Sequence, residues 1–283
     1  MVRGRKIALN SPITLVSLAF ALTPVVLLNQ QVVTGRSLQP VHYEIFVANY
    51  LVLIAIVPVG WQISASLNKE TARKAMVYIG LAAFGWGLVE ASFSTARAGG
   101  IAKIRDESMP AIRYIQDQER GSADAIVVHA TYFITADFIP TVATVRTLWN
   151  PHSSSAGDIN IAENRRLFYL YLYYSGFSGG DLSEGLRANS FEVTAAIFGS
   201  ERALPSLGQG AKPITQAEIM TEIAKYGEFS QKFDRQTAQS PTLSYIIVPA
   251  ESEPNLANLD RWYSRNAGTI FGLFKVYKLS PKS

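Results

Sequence analysis

The side chains able to do acid–base or ligand chemistry are few and scattered. The 283 residues include three histidines, His42, His129 and His152, and no cysteine. Thiol nucleophiles, thiolate metal sites and disulfides are therefore excluded. No His-x-x-x-His pair and no histidine–carboxylate cluster occurs, so neither a metal site nor a cofactor is expected. His129, Asp137 and a serine from 153–155 supply the residue types of a nucleophilic triad. No Gly-x-Ser-x-Gly elbow presents such a serine, and trios of this kind arise freely by chance, so no catalytic residue is assigned. Gly179-Gly180 and Gly208-Gln209-Gly210 lack the Lys-Ser/Thr and following helix of a phosphate loop and read as turns.

The densest polar group lies early. Arg36, Gln39, His42, Tyr43 and Glu44 crowd the segment Asn29–Glu44. Such a set suits a phosphate or sugar hydroxyls, and it equally suits docking of the soluble domain on the membrane part of the chain. Glu90 is a lone carboxylate within an apolar stretch. Carboxylates at that depth are candidates for function, or else Glu90 sits about one turn from the outer end and reaches headgroups or Arg97.

These residues are positioned by long apolar stretches. Ile45–Ile63 carries no charge, and as a helix of about 1.5 Å rise per residue it matches the roughly 30 Å hydrocarbon thickness. Ile13–Leu28 is the apolar core of a first span, which we expect to be retained rather than cleaved as a signal peptide. Ala75–Phe93 forms a third, with Gly80, Gly85 and Gly87 favouring close packing on other helices. The expected spans are thus about 12–34, 45–65 and 75–93. Basic residues flank them unevenly: Arg3, Arg5 and Lys6 at the amino end, Lys69, Arg73 and Lys74 in the second loop, and Arg36 alone between. The positive-inside rule then places the amino end in the cytoplasm and the carboxyl part outside.

Charge divides the same way. Residues 1–96 hold seven Lys/Arg against three Asp/Glu, whereas residues 97–283 hold 19 of each. The net +4 belongs to the first part, which argues against a nucleic-acid partner, although a zero sum can hide a local patch. In residues 97–283 helical and strand patterns alternate. A helix capped by Ser108, strands at 124–130, 145–149 and 243–248, helices at 161–174, 214–233 and 256–265, and a terminal strand at 269–279 suggest a small α/β domain with a partly parallel sheet. The Tyr-rich run LFYLYLYY at Leu167–Tyr174 reads as a helix packed on that sheet, with its hydroxyls at the rim.

The order of NQQVVTGRSLQPVHYEIFVANY, PAIRYIQDQ, DAIVVHATYFITADFIPTVATVRTLWNP, ENRRLFYLYL, SYIIVP and FKVYKL resembles the carboxyl-terminal part of bacterial polytopic membrane proteins related in layout to C-type glycosyltransferases. The resemblance implies an envelope setting and a lipid-linked sugar as partner. It transfers no catalytic residue: the family's carboxylate lies in a first outer loop, where this chain offers only Glu44, and no Asp precedes Asp106.

The expectation is therefore a three-span α-helical membrane domain (1–96) followed by an extracytoplasmic α/β domain (97–283). It would be a multi-pass protein of the inner membrane, a non-catalytic part of an envelope assembly with lipid and other membrane helices or subunits as partners. A glycosyltransferase completed by missing upstream sequence and a glycan- or solute-sensing module are the alternatives.

Overall fold

A computed structural model describes residues 11–34, 49–64, 68–122, 125–154, 160–203 and 212–282. By internal contacts the chain divides near Arg97 and Ala98 into two compact units.

In the first unit, α1 (Pro12–Thr34) and α2 (Asn49–Ser64) pack on one another. α3 begins at Lys69 and runs without a break to Gln118. Among the described residues only one helical segment, Lys69–Phe93, is long and apolar enough to cross a membrane. This corrects the expectation of three spans. α2 has 16 residues, about 24 Å of helix, and falls short of a bilayer core. In α1 the polar Asn29, Gln30 and Gln31 are helical rather than part of a loop, and among the residues whose side chains are described its apolar part is Pro12–Val26, below span length.

The third span also ends differently. The residues after Phe93 continue α3 into the helix expected to start at Ser108, and Ser108 is no N-cap. Its hydroxyl instead donates to the Arg105 carbonyl, 3.0 Å away, within the helix. Gly99 and Gly100 each cost about 1 kcal/mol in a helix interior. Helix on both sides avoids a second costly nucleation, and the carboxyl end of α3 is held by burial. Ala111, Ile112 and Ile115 are all within 1% of full burial.

The second unit is a mixed sheet covered on both faces. Its strands are β1 (Val127–Ala130), β2 (Arg146–Thr147), β3 (Tyr245–Pro249), β4 (Tyr263–Arg265), β5 (Thr269–Phe271) and β6 (Phe274–Pro281). The order is β2-β1-β3-β6-β4, with β5 also paired to β6. β1 is parallel to β2 and β3, and β6 is antiparallel to β3, β4 and β5. α4 (Phe133–Val142) carries the chain from β1 to β2. α5 (Ile161–Tyr174), α6 (Gly179–Arg187), α7 (Phe191–Phe198), α8 (Ser200–Ala203), α9 (Gln216–Gln231) and α10 (Arg235–Ala238) lie between β2 and β3, and α11 (Ala257–Asp260) follows β3.

The period of two along each strand sorts the core. Val128, Ala130, Tyr245, Ile247, Phe274 and Val276 pack with Ala111, Ile112 and Ile115 of α3 and with α4. Val127, Ile246, Val248, Tyr277 and Leu279 face the opposite way, onto α5, α6, α7 and α9. Strands buried on both faces need continuous apolar runs, and VVHA and YIIV supply them. Two sequence expectations shift. The expected helix 256–265 is a short α11 followed by β4, and the expected terminal strand is the β5–β6 hairpin, turned at Gly272 with φ +53°.

Candidate functional site

Strand order β2-β1-β3 means that the chain passes from β1 to β2 on one side and then returns across β1 to β3 on the other. In such sheets ligands favour the carboxyl ends of the strands at this reversal. Here that place is closed by side chains. The Tyr171 hydroxyl donates to the Thr131 carbonyl at 2.5 Å, just beyond β1. His129, on β1, faces α5; its Nε2 lies 3.1 Å from Ser175 Oγ and its ring meets Tyr171 edge-on at 5.2 Å. His129 is fully buried, and burial pushes its pKa down to about 3, so the imidazole is neutral at pH 7. Its Nδ1 has no hydrogen-bond partner among the described residues.

The hydroxyl beside His129 belongs to Ser175, not Ser153, and the side chains of Ser154 and Ser155 fall outside the described residues. Asp137, on α4, instead bonds Nδ1 of the exposed His152, with Arg105 Nη2 3.7 Å from its other oxygen.

A second polar cluster joins α5 to α9. The Glu222 carboxylate is buried and accepts from the Tyr169 hydroxyl at 2.5 Å and from Lys225 Nζ at 3.3 Å. Arg165 Nε lies 3.2 Å from the same carboxylate as a charge contact without hydrogen-bond geometry, while Arg165 Nη2 donates to the Ile197 carbonyl. Burial, then the adjacent carboxylate, push the Tyr169 phenol well above its ordinary range. The tyrosines of α5 are thus not a rim. Tyr169, Tyr171, Tyr173 and Tyr174 are all buried, with each hydroxyl in a hydrogen bond.

Two concavities open at the β4–β6 edge. One, of about 490 Å³, is lined in part by Glu253, Asp260, Arg265 and Tyr277. Its charges close on one another: Arg265 donates to Asp260 at 2.6 and 2.8 Å and to Glu253 at 2.6 Å. The other, of about 320 Å³, is lined by Arg235, Ala238, Gln239, Arg261, Trp262, Tyr263, Pro281 and Lys282. Sequence reasoning missed it, since its cations are spread over 48 positions.

Of the residues singled out in the sequence, Glu90 lies on the exposed surface of α3. Arg36, Gln39, His42, Tyr43 and Glu44 fall outside the described residues. No group of three or more His, Cys, Asp or Glu fit to hold a metal occurs among the described residues. No protein-family model matches the chain, and no curated protein or solved structure is similar to it.

Proposed function

We propose that this chain is a membrane-attached protein of the cell envelope whose α/β domain is a non-catalytic, extracytoplasmic part of a larger assembly. The observation that carries this is the condition of the apolar window within Lys69–Phe93: none of it is buried inside the protein. Tyr78, Ile79, Phe84, Trp86 and Phe93 are each exposed by two-thirds or more. Water opposes such a surface by about 25 cal/mol per Å², and lipid does not. Lys69, Arg73 and Lys74 against Glu70 at its amino end support a cytoplasmic start and an outward-facing domain.

A non-catalytic role is supported by the polar clusters of the domain. His129 is neutral and sealed, Glu222 is satisfied by Tyr169 and Lys225, and Asp137 is taken up by His152. The test is extraction of membranes from cells expressing the whole chain at alkaline pH. The chain should stay in the pellet, and a variant with Leu81→Arg and Leu88→Arg should be released or degraded. Full release of the unaltered chain would refute attachment.

A further inference from the structure

The cavity of about 320 Å³ differs from its neighbour in charge. Among the described residues Arg235, Arg261 and Lys282 line it, and no carboxylate does. The acids adjacent in sequence are engaged elsewhere. Asp234 accepts from the Thr237 amide at 2.8 Å and hydroxyl at 2.7 Å, and Asp260 holds Arg265. Among the described residues neither Arg235 nor Arg261 makes an ion pair, while Lys282 Nζ donates only to the Asp260 carbonyl. Three cations converge on one hollow, with two guanidinium forks still open.

The floor is rigid and apolar. The Arg261 guanidinium lies over the Trp262 ring at 5.0 Å. Trp262 is fixed by its Nε1–H to the Tyr173 hydroxyl at 3.2 Å and by Phe233 at 5.5 Å. Tyr263 is buried, donates to the Ala238 carbonyl and accepts from the Leu243 amide. A stacked, pre-set guanidinium loses little entropy on gripping an anion.

We infer that this cavity binds a phosphate ester, with Arg235, Arg261 and Lys282 on the phosphoryl oxygens and Trp262 and Pro281 against its organic part. Guanidinium forks match phosphoryl oxygens two at a time. Three cations suit a dianion better than a single carboxylate. The volume exceeds that of a bare phosphate and reaches the lower end of small-molecule sites. The inference is independent of membrane attachment, because every lining residue belongs to the α/β unit.

The test uses the whole chain in phosphatidylcholine nanodiscs and reads the melting of the α/β unit. The probes are glycerol phosphate and pyrophosphate in solution, and nanodiscs with phosphatidic acid added. Stabilisation by the soluble probes assigns a free phosphate ester, and stabilisation by phosphatidic acid alone assigns a lipid headgroup. In Arg235→Gln with Arg261→Gln the apparent affinity should fall about tenfold or more for each guanidinium removed. Lys282→Gln, at an exposed position near the chain end, tests the site should that pair fold poorly. Exposed Lys212→Gln, away from the cavity, should change nothing. Absence of stabilisation by every probe at millimolar concentration would overturn the inference, and so would equal loss in Lys212→Gln.

Discussion

At the residue scale the polar clusters make distinct predictions. His129 is protonated near pH 6.5 in an unfolded chain but only near pH 3 when buried. Between those values the unfolded state binds more protons, so stability falls as pH drops through this window, by up to about 1.4 kcal/mol per unit. Denaturant melts from pH 7 to 5 should show this slope, and His129→Gln should flatten it. Glu222 predicts a loss of a different kind. Its replacement by Gln leaves Arg165 and Lys225 facing no charge. Because these partners are 28% and 50% exposed, the cost should be about 2 kcal/mol rather than that of a fully buried pair. Glu222→Asp, which keeps the charge, should recover part of it. Chemical denaturation of both variants would decide.

At the element scale α3 is the feature that sequence reasoning divided wrongly. Gly99 and Gly100 are both costly in a helix, yet nothing lies within 4 Å of a Cβ built at either residue, and the helix passes through both. Gly99→Ala with Gly100→Ala should therefore stabilise the chain by about 0.5–1 kcal/mol per site, seen as a higher melting temperature. A loop at 99–100 would give no gain. Gly176 is the reverse case. It has φ +74°, and an added Cβ would sit 2.5 Å from the Asn255 carbonyl oxygen. Gly176→Ala should cost about 1–3 kcal/mol, through displacement of the segment that carries Asn258 onto the Tyr173 carbonyl.

The same contrast explains what was legible beforehand. Helices with strong local signals were readable: Thr215 caps α9 in a reciprocal box with Glu218, at 3.2 and 2.8 Å, and the apolar runs VVHA and YIIV announced central strands. The basic cavity was not readable. Its three cations come from α10, the carboxyl-terminal cap of α11 and the segment after β6, and the even balance of 19 against 19 in residues 97–283 concealed it. Nor was the pairing of Asp137 with His152 instead of His129, because strand direction alone decides which face His129 takes.

At the scale of the whole molecule, one segment bears on the surroundings of the protein. Apolar residues along Lys69–Phe93 are exposed on a helix whose far end packs against the sheet. The apolar stretches alone overstated this: mean hydropathy is only +0.12, α2 is too short to cross a bilayer, and the described apolar part of α1 is limited to Pro12–Val26.

The absence of cysteine allows a direct measurement. Single substitutions Tyr78→Cys, Phe84→Cys and Leu88→Cys should resist a membrane-impermeant maleimide in intact membranes and react after detergent denaturation. Asp117→Cys, on an exposed part of α3, should react readily from the outer side. Labelling of positions 78, 84 and 88 as fast as position 117 in native membranes would contradict a lipid-embedded segment.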